Sequence, residues 1–401
     1  MSATGLSRAR LGRMHDVMAR HVERGLAPGL VTLVSRRGEV HVDAIGVKAV
    51  GGDDPMRRDT IFRITSMTKP VTAAAAMMLV EECTLRLDEA VDRWLPELAD
   101  RKVLKRIDGP LDDTVPANRP ITLRDLLTFR MGFGMIMEPS AHYPIQRAVN
   151  ERQLMSLGPP KPATPLPPDE WMRRFGALPL MHQPGERWMY NTGSHVLGVL
   201  IARASGQPLE TFFRQRVFEP LGMKDTGFSV PAETLDRLAT SYWANQTGAL
   251  ELHDGVGDSQ WSRPPIFPDA GAGLVSTADD FLAFGRMLLN KGKHGGVRLL
   301  SRLSVETMTT DQLTPEQKRR SDFAGIWDSR GWGFGVSVVT KRDDLSAVPG
   351  RFGWDGGYGT SWSTDPAEDM VAILMTQRAA FPTTSEIYLD FWTSAYQAID
   401  D

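Results

Sequence analysis

A single cysteine, Cys83, stands in 401 residues, so the chain forms no internal disulfide and no cysteine-cluster zinc or iron–sulfur site. One unpaired thiol fits a reducing compartment. No apolar run reaches the ~18–20 residues that span a bilayer. The nearest, VTAAAAMMLV at 71–80, is too short. The opening stretch MSATGLSRARLGRMHDVMARHVERG carries charges every few residues and lacks the apolar segment of a signal peptide. We therefore expect a cytoplasmic protein without a membrane partner. Lys and Arg total 46 against 49 Asp and Glu, a net charge of −3 with no long block of one sign. That balance argues against a nucleic-acid partner. The chain also lacks G-x-S-x-G, H-E-x-x-H, a Walker A loop and G-x-G-x-x-G. Its eight histidines are scattered without metal-ligand spacing, so neither a metal nor a cofactor is expected.

The balance that remains, 41% apolar and 24% charged, is that of an ordinary globular chain with a large core. At roughly 150 residues per domain, two to three domains are expected. Leu11, Met14, Met18 and Val22 recur at helical spacing. After Pro28-Gly29, two apolar runs flank Arg36-Arg37-Gly38 and predict a β-hairpin. TIFRI (60–64) reads as a strand ending at Thr65-Ser66, and Ser66 to about Glu82 as an Ala-rich helix. TLRLDEAVDRWLPEL and ITLRDLLTFRMGFG predict two further helices.

Residues 135–170 read as a long irregular loop, a possible lid, with six prolines between Pro159 and Pro168 excluding regular helix there. GSHVLGVLIARASG and QPLETFFRQRVFEPLG then predict two helices, each closed by glycine. Strands return after 265 in GWGFGVSVV, GYGTSWSTD and MVAILMTQ. Thr383-Thr384-Ser385-Glu386 forms a capping-box pattern before a last amphipathic helix. This order predicts an α/β fold: an antiparallel sheet flanked by helices, built from both chain ends, with an inserted, mostly helical domain. The expected division is 1–88 with 266–401 for the α/β domain, and 89–265 for the helical one.

Chemistry concentrates at Ser66-Met67-Thr68-Lys69, an S-x-x-K at a strand-to-helix junction. Serine needs an adjacent base to act as a nucleophile. Positions i and i+3 share a helix face, so Lys69 can reach the Ser66 hydroxyl. Free amides at a helix start also favour an oxyanion there. Four residues alone read better as a serine N-cap beside a solvated lysine. Pro70 weighs against that, because it restricts the conformation of Lys69. His182 and His195 stand near Tyr190, but no partner for either is visible, and both read as structural.

The wider context adds more. FRITSMTKPVTAAAAMMLVEE, QPGERWMYNTGSHVLGVLIARASG, GAGLVSTADDFLAFGRMLL, GWGFGV and FGWDGGYGTSWSTDP occur in that order between about 28 and 375. Together they resemble the serine β-lactamase and penicillin-binding-protein superfamily on its class C side. The likeness is greatest to the family VIII carboxylesterases, which share the W-x-Y element and a tryptophan in the third motif. The resemblance implies Ser66 as nucleophile, Lys69 as its base and Tyr190 as a proton relay. It further implies an oxyanion hole from the Ser66 and Gly357 amides. Trp354, Asp355 and Gly356, with Asn191, would line the substrate site.

Two departures bear on specificity. Thr192 stands where class C enzymes carry the asparagine of Tyr-x-Asn, with Asn191 one place early. Trp354 replaces the Lys or His that usually opens the third motif and pairs with a substrate carboxylate; Arg351 is the nearest cation in sequence. The expected activity is hydrolysis of short- to medium-chain neutral esters, a small-molecule substrate, through an acyl-enzyme on Ser66. The alternatives are a β-lactamase or D-amino-acid peptidase, an acyltransferase, and a non-catalytic scaffold of the same fold.

Overall fold

A computed structural model describes residues 5–139, 141–154, 164–245, 247–323, 325–379 and 385–401. Its frame is a seven-stranded sheet. The hairpin forms as expected, β1 (Gly29–Arg36) pairing antiparallel with β2 (Glu39–Gly46). Its two-residue turn, Arg37-Gly38, has both φ angles positive, at 47° and 86°, the form that matches strand twist. The other five strands come from the far end of the chain. They are β3 (Arg330–Trp332), β4 (Ser337–Val339), β5 (Phe352–Gly356), β6 (Thr360–Asp365) and β7 (Met370–Thr376). The order is β3-β4-β5-β6-β7-β1-β2, and every pairing is antiparallel. The fold is α/β, and the first hairpin closes onto the last strand.

Alternation along β1 explains why all eight of its residues are buried. Leu30 and Val34 face one side, where they pack with Met14 and Met18 of α1 (Arg8–Glu23) and Phe391 and Trp392 of α5 (Glu386–Gln397). Val31 and Leu33 face the other side. There α4 (Ala278–Leu289) supplies Phe281 and Phe284, and α2 (Thr68–Glu81) supplies Val71 and Ala73 to Ala76. Helices thus cover both faces of the sheet. α2 is buried from Thr68 to Leu79, and its small alanines let α3 (Thr192–Ser205) pack beside it. Ser385 caps α5 by accepting the amide of Tyr388; Thr383 and Thr384 of the expected capping box lie outside the described residues.

Two expectations need correction. TLRLDEAVDRWLPEL forms no α-helix, only a short 3-10 turn at Pro96–Leu98. Pro96 disfavours helical geometry at Leu95, whose φ is −128°, and Leu85, Val91, Leu95 and Leu98 are buried from an irregular backbone instead. ITLRDLLTFRMGFG yields only the short helix Leu123–Leu127. Conversely, the stretch read as one loop from 135 to 170 contains the helix Pro144–Glu151 and the start of Pro168–Gly176. In both helices a proline occupies the first position, where its missing N–H costs nothing. The prolines from 159 to 162 lie outside the described residues. Among the described residues, no helix is long and apolar enough to cross a membrane.

Candidate active site

Ser66 sits in a 3-10 turn, Thr65–Met67, that leads directly into α2. The turn is strained: Thr65, a β-branched residue, has φ 39°. One turn on, Lys69 donates from Nζ to Ser66 Oγ at 2.9 Å and to the Gly271 carbonyl at 2.8 Å. Lys69 is only 1% exposed. Burial lowers its pKa to about 7, while the nearby Asp269 charge works in the opposite direction. The lysine is therefore poised to lose its proton near neutral pH.

Tyr190 approaches from the segment that precedes α3. Its ring centre lies 4.6 Å from Lys69 Nζ, and its hydroxyl faces the Ser66 side chain. Burial pushes the phenol pKa up, against the hydrogen bonds from Ser66 and Trp354, so the hydroxyl stays protonated. The next residue, Asn191, has φ 83° and ψ −59°, and Thr192 N–H bonds back to the Tyr190 carbonyl at 3.2 Å. That is a γ-turn of the rare, strained hand. Strained residues thus flank both Ser66 and Tyr190, where the surrounding fold must hold them.

A cavity of about 410 Å³ opens beside these groups, lined by Ser66, Trp188, Tyr190, Phe323, Trp354 and Gly357 among others. Its wall backs onto an aromatic cluster. Trp188 packs within 5.6 Å of Tyr190, and Trp332 meets Trp354 edge-on at 4.6 Å. Trp354 also donates its indole N–H to the Tyr190 hydroxyl at 2.8 Å.

The third-motif residues part company along β5, because successive side chains of a strand face opposite ways. Trp354 pairs across the sheet with Trp362, whose ring packs on Phe281 and Phe284 of α4. Asp355 pairs with Ser361, and its carboxylate bonds to Ser361 and Tyr388 on the α5 side. Asp355, expected from the sequence among the substrate-lining groups, borders the cavity, while its carboxylate bonds to Ser361 and burial raises its pKa. Arg351 belongs to that face as well, with its guanidinium 3.8 Å from the Trp392 ring centre. It borders the cavity, but its charge rests on α5 rather than in place of the missing third-motif cation.

Gly356 also lines the cavity, and the protein's own backbone needs a glycine there. A Cβ there would lie 2.7 Å from Thr65 Oγ1 and closer still to the Ile64 carbonyl and Thr360 Oγ1. Only glycine lets β5 lie against the strained turn, and this brings Gly357 to the cavity beside Ser66. Asn191 is not among the residues that line the cavity; its side-chain oxygen lies beside Gly271.

Sequence reading missed Asp269 altogether and left His195 without a partner. The two meet: His195 Nε2 lies 3.2 Å from Asp269 Oδ1, within ion-pair distance, and both residues are buried. The same oxygen accepts the Gly271 amide at 2.7 Å and the Ala272 amide at 3.1 Å. Burial would raise the Asp269 pKa, but His195, the Gly271 amide and Lys69 together hold it below the usual carboxylate range. The block GAGLVSTADDFLAFGRMLL begins at Gly271 and so left out Asp269, and the contact of Gly271 with Lys69 crosses 202 positions of sequence.

Such a site can make a nucleophilic oxygen and receive an oxyanion without an added group. Comparison with known proteins agrees with the geometry. A family model described as "Beta-lactamase" matches residues 15–391. Protein Rv1367c of Mycobacterium tuberculosis is 44% identical, over 88% of this chain and 87% of its own length. Esterase EstB of Burkholderia gladioli is 33% identical over 92% of this chain and 90% of its own. The solved structure of "EstCE1, a hydrolase with promiscuous acyltransferase activity" superposes with a TM-score of 0.79 at 26% identity, covering 97% of this chain and 99% of that one. The chain belongs to the beta-lactamase family.

Proposed function

We propose that this protein is a serine esterase that hydrolyses short- to medium-chain neutral carboxylic esters through an acyl-enzyme on Ser66. The observation that carries the reading is the 2.9 Å contact of Lys69 Nζ with Ser66 Oγ, made by a buried lysine with a pKa of about 7. Neutral Lys69 takes the Ser66 proton as Oγ bonds to the ester carbonyl carbon. The Ser66 and Gly357 amides receive the charge that develops on the carbonyl oxygen. When the tetrahedral adduct collapses, the C–O bond to the alcohol breaks. Tyr190 gives its proton to that oxygen and is recharged from Lys69. Water then attacks the acyl-enzyme by the reverse relay, releasing the acid and restoring Ser66.

Trp354 favours neutral esters over β-lactams, since an indole replaces the cation that would pair with a carboxylate. Together with Trp188-Met189-Tyr190 it supports a place near the family VIII carboxylesterases. The printed names of EstB and EstCE1 support ester chemistry too. The EstCE1 description also supports a second reading, acyl transfer, in which an alcohol intercepts the same acyl-enzyme in place of water. A fluorophosphonate probe followed by peptide mapping tests the proposal. Label on Ser66, absent in Ser66→Ala together with ester turnover, is expected; label on another serine would overturn it.

A further inference from the structure

We propose that Asp269 is a positioning residue for Lys69, anchored by His195, and that it acts both through the turn it ties and through its charge. The inference rests on the roles of Ser66 and Lys69 given above. Three groups converge on one oxygen, Asp269 Oδ1: the Gly271 and Ala272 amides by hydrogen bonds, and His195 Nε2 at ion-pair distance, 3.2 Å. The two amides lock the turn at 269–272, and that turn presents the Gly271 carbonyl to Lys69 Nζ at 2.8 Å. A carboxylate only accepts, so His195 donates. His195 lies on the first turn of α3, directly after the Tyr190–Asn191 γ-turn. One buried carboxylate therefore joins the segment carrying Tyr190 to the loop that holds the base.

The groups facing the Lys69 ammonium are few. Ser66 comes from its own turn, Tyr190 from the segment before α3, and Asp269 from the 269–272 turn. His195 stands behind Asp269, and Asp355 lies on the reverse face of β5. Among the described residues, Asp269 is the negative charge that favours the Lys69 cation. It offsets part of the desolvation of Lys69, keeping the ammonium available to reload Tyr190 while leaving the base accessible near neutral pH.

Asp269→Asn separates charge from position. An amide Oδ1 can accept from the same three groups, so the turn survives and only the charge is lost. The test uses the full-length protein, with two readouts. The first is the ¹³Cε signal of Lys69 titrated against pH and assigned by its loss in Lys69→Ala. The second is the pH profile of kcat/KM on a p-nitrophenyl ester. Removing the opposite charge should move the Lys69 titration and the acid limb of the profile down together, by about one pH unit.

An unmoved or raised titration in Asp269→Asn would overturn the charge role. If that variant fails to fold, the His195 pair decides the anchoring. His195→Gln keeps a donor toward Asp269 and should retain kcat within about threefold, whereas His195→Leu should lose about tenfold or more. Equal kcat in both variants would overturn the anchor. A wild-type protein that hydrolyses no ester would instead overturn the esterase reading, with the Lys69 titration still deciding this one.

Discussion

The indole N–H of Trp354 points at the Tyr190 hydroxyl oxygen from 2.8 Å. In the proposed mechanism this contact would support the proton relay through Tyr190. A donor to that oxygen eases any build-up of negative charge on it, while burial keeps the phenol protonated at rest.

Trp354→Phe should therefore lower kcat for ester hydrolysis roughly tenfold, the scale of one lost hydrogen bond, with KM little changed. Steady-state kinetics on a p-nitrophenyl ester check it. An unchanged kcat would show that the contact has no part in turnover.

Lys69 links activity to stability. Its pKa is depressed in the folded state to about 7, so between there and the ordinary lysine value of 10.5 the unfolded chain holds the extra proton. Stability contributed at this residue then rises with pH across that window, and the penalty of burying the ammonium is fully present below about 7. Lys69→Met should abolish turnover yet raise the thermal midpoint, more at pH 6 than at pH 10. Scanning calorimetry at the two pH values decides this, and a lower midpoint at pH 6 would contradict it.

Gly356→Ala should push β5 away from the Thr65–Ser66 turn, since its Cβ has nowhere to go. Overpacking of this kind costs roughly 1–3 kcal/mol, so the thermal midpoint should fall by a few degrees. kcat should fall at least tenfold as the Gly357 amide leaves its place, while Ser66 can still react slowly with a small phosphonate. Full activity in the variant would mean that β5 does not set the oxyanion hole.

Small neutral esters should exceed cephalosporins and penicillins by at least ~10³-fold in kcat/KM, corresponding to ~4 kcal/mol of missing interaction. A buried carboxylate without a cation is costly, and Arg351 is engaged with Trp392 on the other side of the sheet. Parallel assays on one preparation decide it. Comparable values would point to another cation reaching the site.

Much of this protein could be read along the chain. Two apolar runs around Arg36-Arg37-Gly38 marked β1 and β2, helical apolar spacing marked α1, a closing glycine marked the end of α3, and Ser66 with Lys69 lay one helical turn apart, close enough to meet without help from the rest of the fold. These features depend on residues within a few positions of one another, so local chemistry was enough. Where neighbours were remote, the reading failed. TLRLDEAVDRWLPEL had helical apolar spacing but is held in an irregular path by partners such as Ile121, whose carbonyl accepts the Val91 amide. Asp355 sits beside Trp354 in sequence, yet the pleat turns it to the opposite face. Asp269 and His195 find each other, and Lys69 finds Gly271, only when chain closure brings distant segments into one buried space. There desolvation and a single carboxylate set the proton affinity of Lys69, a property that depends on burial and on charges far away in sequence.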